Sequence, residues 1–215
     1  SLFWYHAPMY VFFAKFFITI AVVVALSEIA KRVGPNFAGI LTGLPLGAGL
    51  SAYFFTYEQG IPFMLETVPW AVAGLSSTVL FALSYMLTGT AIRGRSRTLA
   101  VVLTILISTA VFAAVVAALR PFSFSLAGAV LTCAVVVLGN ILVLRRIVLP
   151  SGGRPGRPFG LGVLVFRALT AGTMITLVTG LAGVLGPAWS GLVSAYPVML
   201  FSLLVVLHFG AGARL

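Results

Sequence analysis

Apolar residues run along this chain in blocks about 20 long, and polar or charged residues are confined to the gaps between them. Seven blocks can be marked, at about 9 to 30, 37 to 57, 68 to 90, 98 to 119, 123 to 144, 160 to 182, and 188 to 209. Twenty residues is the helix length that crosses roughly 30 Å of hydrocarbon, whereas barrel strands are shorter and alternate. The pattern predicts an all-α polytopic membrane protein of about seven transmembrane helices, forming one membrane domain over 1–215. No separate cleavable signal is evident, and the first block reads as a retained helix.

Composition points the same way, with 61% hydrophobic and 7% charged residues and a mean hydropathy of +1.18. Thirteen basic and three acidic side chains could not coat a soluble domain of 215 residues. Ten of the thirteen basic residues fall in alternate gaps: Lys31 and Arg32, then Arg93, Arg95 and Arg97, then Arg145, Arg146, Arg154 and Arg157, then Arg214. The positive-inside tendency makes that side cytoplasmic, with the N-terminus outside and the C-terminus inside. The +10 net charge is then an orientation signal that also favours anionic lipid headgroups. The longest polar stretch, RRIVLPSGGRPGRP, is too short and Gly/Pro-rich to be a nucleic-acid module and reads as a linker over 145–159. The single Cys133 lies inside an apolar block and excludes a disulfide framework.

The stretch VGPNFAGILTGLP at 33–45 returns as LGPAWSGLVSAYP at 185–197. At the same offset Gly34 and Pro35 match Gly186 and Pro187, Gly39 matches Gly191, Thr42 matches Ser194, Pro45 matches Pro197, and Lys15 matches Arg167. An odd number of spans separates the copies, so they lie upside down relative to each other. This predicts an inverted-topology repeat of helices 1–2 against 6–7, with a first element at about 9–60, middle helices at about 68–144 and a second element at about 160–212. Such repeats underlie alternating access in many transporters. Pro45 and Pro197 are expected to kink or break their helices, which in lipid calls for a polar or protein-lined surrounding. Close packing of small residues would also explain the glycines at 39, 43, 47 and 49.

Lys15 and Arg167 sit inside the first and sixth spans, where each must snorkel, pair or face a wet cavity. Glu28 precedes Arg32 by one helical turn, which suggests a local pair. Glu28, Glu58 and His208 are the candidates for ion coupling, and Glu58, Glu66 and His208 all lie near predicted span boundaries. Asn140, Ser76, Ser77 and Thr78 are expected to hydrogen-bond between helices. The scarcity of carboxylates favours an anionic or neutral polar solute over a cation. No nucleophile with a base, metal-ligand cluster or nucleotide loop is present in the sequence pattern, so neither an enzyme nor a cofactor or metal site is expected.

The segment ALSEIAKRVGPNFAGILTGLPLGAGLSAYFFTYEQG at 25–60 resembles the GlpM-like family of small bacterial membrane proteins. The likeness rests on Ser27 to Arg32, Gly39, Leu44 to Leu46 and Tyr57 to Gly60. It implies a bacterial inner-membrane location and a membrane topology, without a substrate. The second copy departs from the pattern, with Val184 and Gly210 where the first has Arg32 and Glu58.

The sequence therefore points first to a small secondary transporter or facilitator. Its expected pathway comprises Lys15, Gly34, Pro35, Gly39, Thr42, Pro45, Arg167, Gly186, Pro187, Gly191, Ser194 and Pro197. The alternatives are a lipid flippase or scramblase and a non-transporting subunit of a larger complex. The expected partners are a bilayer with anionic headgroups and a small, anionic solute, with no nucleic acid. The glycine-rich spans also suit a homodimer through helix faces.

Overall fold

The computed structural model describes residues 9–33, 45–92, 96–147, 161–198 and 200–201. They form seven helices: α1 (Met9–Val33), α2 (Leu46–Gln59), α3 (Ile61–Ala91), α4 (Arg97–Leu119), α5 (Leu126–Arg146), α6 (Leu161–Gly180) and α7 (Ala182–Ser194). No strand occurs among the described residues. Five helices, α1, α3, α4, α5 and α6, are long and apolar enough to cross a membrane. The chain is an all-α, multi-pass membrane protein.

The second and seventh blocks depart from plain spans. With 14 and 13 residues, α2 and α7 are about 20 Å long, well short of a bilayer core. The predicted second span is helical only from Leu46, residues 34–44 lying outside the described residues. The seventh ends its first helix at Ser194, turns through 195–197 and resumes helical backbone at Val198. Both prolines stand at helix starts instead of within kinked helices. The Gly49 N–H donates to the Pro45 carbonyl at 3.1 Å, and the Phe201 N–H donates to the Pro197 carbonyl at 2.7 Å. These two bonds are 152 positions apart at both ends, matching the sequence repeat. A proline lacks an N–H and is best tolerated where no helical donor is needed, as at these starts.

A third break lies at Gly186, whose φ of 73° interrupts α7 just before Pro187. Gly60, at φ 88°, separates α2 from α3 by one residue, and Pro62 occupies the first turn of α3. Helix α3 therefore begins at Ile61, seven residues earlier than the apolar pattern suggested, and Glu66 is an exposed helical residue instead of a loop residue. At 31 residues, α3 runs about 46 Å and exceeds the hydrocarbon thickness. Ser125 caps α5 by accepting from the Gly128 N–H, and Arg145 and Arg146 occupy its last turn, beside the negative end of the helix dipole.

Helix α3 is the hub, packing against α2, α4, α5 and α7, while α1 packs along α6. The α3–α7 contact is very close. A methyl group at Gly191 would stand 2.5 Å from the Thr67 carbonyl oxygen and 2.7 Å from Trp70 Cβ, and one at Gly74 would stand 2.9 Å from Ala195 Cβ. Around this contact gather Phe81, Tyr85, Phe112, Val116 and Leu192. Tyr196 meets Phe112 edge-on at 5.0 Å and shares a hydrogen bond with Thr109.

Helices α1 and α6 run antiparallel. Lys15 near the start of α1 bonds Thr179 near the end of α6, and Val23 shares an apolar cluster with Ala168 and Ala171. Between these points Phe16 and Ile20 lie against Gly172. Gly172 is the repeat counterpart of Ile20, so the two helices cross at equivalent positions.

The glycine contacts give a direct packing test. Gly191→Val and Gly74→Val are each expected to destabilise the protein by about 1–3 kcal/mol, as overpacking does, and to lower its melting temperature in detergent. Gly139→Val, at an α5 position with open space around it, should leave the melting temperature nearly unchanged. Thermal scanning by intrinsic fluorescence would read all three.

Candidate functional site: a buried ion pair beside a helix break

Lys15 is carried into the bundle by α1, whose apolar composition forces the helix into hydrocarbon. Neither it nor Arg167 snorkels: they are 3% and 9% exposed. Lys15 Nζ lies 2.6 Å from Glu58 Oε2 and donates to Thr179 Oγ1 at 3.1 Å. The Thr179 hydroxyl in turn donates to the Ile175 carbonyl at 2.8 Å. The side chains of the ion pair are 4% and 11% exposed. Glu58, at the end of α2, supplies the counter-charge that a buried ammonium requires. Its other oxygen, Oε1, is buried without a hydrogen-bond partner.

The face of α2 that carries Glu58 also carries Phe55 and Ser51, one and two turns nearer the helix start, and both are buried. Phe55 packs with Val178 and Ala182 into an apolar plug. On the other side of this plug, a void of about 10 Å³ is lined by residues that include Gly47, Ser51, Ile175, Val178, Ser194 and Tyr196. Its volume matches one water-sized group. The void lies where the start of α2 meets the end of α7. A methyl at Gly47 would be 3.5 Å from the Ser194 carbonyl oxygen and 3.8 Å from that of Tyr196. The N-terminal end of α2 thus faces the C-terminal end of α7, a favourable meeting of opposite partial charges.

The structure does not gather the expected pathway residues at one place. Ser194 lines the void, Val198 beside Pro197 does too, and Pro45 caps the helix that brings Gly47 to it. Gly191 is instead a packing contact against α3, where a side chain would strike Thr67 and Trp70. Gly186 and Pro187 form the break in α7, Gly186 has open space where a side chain would project, and neither lines the void. Arg167 is buried on α6, twelve residues from Thr179 and so about 18 Å along the helix from the ion pair. Glu28 pairs with Arg32 at 3.6 Å on the exposed end of α1, the local pair its spacing suggested. Gly34, Pro35, Gly39, Thr42 and His208 lie outside the described residues. Thr179 and Phe55 were not singled out beforehand. The available signal was the repeat of Lys15 and the seven-residue spacing of Ser51 and Glu58, which places them on one helix face.

Thr78 makes its expected interhelical bond, donating to the Ala195 carbonyl. Ser76 Oγ, Ser77 Oγ and Asn140 Oδ1 do not; they are buried without hydrogen-bond partners. The Arg120 guanidinium lies over the rings of Trp70 and Trp189 at 5.8 and 6.0 Å, tying the α4–α5 turn to α3 and α7.

Fold and site together define a polytopic helical membrane protein with an internal ion pair and, in α7, a helix interrupted at Gly186. No family model, curated protein or solved structure matches the chain.

Removing one partner of a buried ion pair leaves the other uncompensated. Glu58→Leu is expected to lose about 3–5 kcal/mol of stability. The double variant Lys15→Leu/Glu58→Leu should regain most of it. Denaturant titration of the purified protein in micelles, with both singles and the double, would measure the coupling.

Proposed function

We propose that the protein is a small secondary transporter or facilitator of a polar solute, working through the two broken helices of an inverted repeat. The observation that carries this reading is the void at the junction of α2 and α7. It brings Ser51 and Ser194 together in a largely apolar space at a helix junction. Its lining includes residues of α2 and α6, the helices that carry Glu58 and Thr179 of the buried ion-pair cluster. The repeat is supported by the matched Pro45 and Pro197 helix starts and by the antiparallel crossing of α1 and α6 at Ile20 and Gly172. A two-fold axis through that crossing relates equivalent residues of the two helices. Lys15 and Arg167, each five residues from the crossing, then stand about 7–8 Å to either side of it.

In this reading the N-terminus is outside and the cytoplasmic side carries the basic gaps, as in a bacterial inner membrane. Lys15, Glu58 and Phe55 close the outward side of the void, and the solute is anionic or neutral and small. Transport requires the ion pair and the plug to separate while the opposite side closes.

Uptake by purified protein in sealed liposomes tests this directly. Saturable uptake of a labelled small anion, absent from protein-free vesicles, is expected. Ser51→Leu should reduce it at least tenfold by filling the void while preserving the folded state. Headgroup movement without solute flux would instead establish lipid translocation, and neither activity in correctly inserted protein would point to a subunit of a larger complex.

A further inference from the structure

We infer that Lys15, Glu58 and Thr179 form a proton-coupled anion site, in which a proton on Glu58 and a small monovalent anion on Lys15 are carried together. This rests on the transport reading above. The inference begins with charge. In the closed state the Lys15 ammonium is neutralised by Glu58 at 2.6 Å, so the site as a whole carries no net charge. An anion arriving at Lys15 would confront the Glu58 carboxylate and leave the site with an uncompensated negative charge in a low-dielectric interior. A proton arriving with the anion removes that conflict. Protonated Glu58 is neutral, Lys15 keeps its charge, and the anion takes the carboxylate's place as counter-ion. The loaded site is again neutral.

The hydrogen-bond geometry suits both steps. Glu58 Oε1 is buried and without a hydrogen-bond partner, leaving its lone pairs free to take the proton, while Oε2 holds Lys15. When Oε2 releases the ammonium, the Thr179 hydroxyl still holds it, because that oxygen accepts from Lys15 while donating to the Ile175 carbonyl. The retained ammonium is thus anchored to α6 at Thr179 while the anion takes the place that Oε2 leaves. No bond is made or broken apart from the proton's: it enters on the Glu58 carboxyl, and its release to the far side restores the Lys15–Glu58 pair as the anion leaves.

The surroundings leave this role to Glu58. Of the helices packed against α2, α3 carries Glu66, which is exposed, and Tyr85, while α7 has no ionisable side chain. Helix α6 carries Arg167, three turns distant, and α1 adds Glu28 and Arg32, paired at its exposed end. The repeat counterpart of Glu58 is Gly210, so the second half of the sequence supplies no equivalent carboxylate. One titratable lock in two related halves gives a stoichiometry of one proton per monovalent anion. Because the anion takes the place of a single carboxylate against Lys15, it must be compact, such as chloride, nitrate, formate or acetate.

The test uses the full chain in liposomes loaded with a pH dye, with chloride, nitrate, formate and acetate offered in turn under an inward proton gradient and with the membrane potential clamped at zero. Wild-type protein should accumulate one of these anions above its equilibrium level, with one proton entering per anion. Glu58→Gln, which mimics the protonated carboxyl, should retain anion exchange between the two sides, lose accumulation driven by the proton gradient, and show a flat pH profile. Lys15→Gln should lose both. Gradient-driven accumulation persisting in Glu58→Gln, or anion flux without protons in the wild type, would overturn the coupling while leaving transport intact. Because protein that fails to insert gives no flux, anion binding is also measured in detergent. Wild-type protein should take up one proton per anion bound in weakly buffered solution, and Glu58→Gln none. Absence of both flux and proton-linked binding would overturn the coupling and the transport reading together.

Discussion

A helix can be interrupted within hydrocarbon only where its freed N–H and C=O groups meet other protein groups or a polar space, because lipid offers no hydrogen bonds. Much of this structure follows from that constraint. Pro45 and Pro197 stand at helix starts, and the start of α2 is brought against the end of α7. Gly47 lies at this approach on one side, with room for a methyl group at ordinary contact distance. On the other, the near-contact of Gly191 with Thr67 and Trp70, and of Gly74 with Ala195, seats α7 deeply against α3. The close glycine packing and the helix breaks, which looked like competing explanations in the sequence, act together. The first brings the second into register.

Charge obeys the same economy. A buried ammonium needs a counter-ion, and the chain has only three carboxylates. One is exposed on α3, one is engaged with Arg32 on an exposed turn, and Glu58 is held against Lys15. The pair joins α1 to α2, and its bond to Thr179 adds α6, so a single side chain links three helices on one side of the helix junction. At the same 152-residue offset Lys15 corresponds to Arg167 and Glu58 to Gly210, so the charges of the pair do not recur in the sequence although Pro45 and Pro197 both stand at helix starts.

Hydroxyl side chains show how little can be read from polarity alone in an apolar chain. Ser84, Thr88, Ser108, Thr132 and Thr170 each bond back to a carbonyl three or four residues earlier on their own helix. Thr78 reaches another helical segment, and Thr179 serves both its own helix and Lys15. Nothing in residue type separates these cases. The separation comes from which face each helix turns toward its neighbours.

By itself the sequence determined the medium, the helical class, five of the membrane-crossing helices and the breaks expected at two repeated prolines. Hydrocarbon thickness, backbone hydrogen bonding and the special geometry of proline act locally, within a few turns of chain, and so leave a local record. It also marked Lys15 as a charge that must be accommodated. The tertiary structure alone decided how: with Glu58, forty-three residues away, and Thr179, one hundred and sixty-four away. It also decided that Gly191 is a packing contact and that Gly47, Ser51 and Ser194 share one void. Those outcomes depend on the rotation and separation of helices distant in sequence, which no short-range periodicity records.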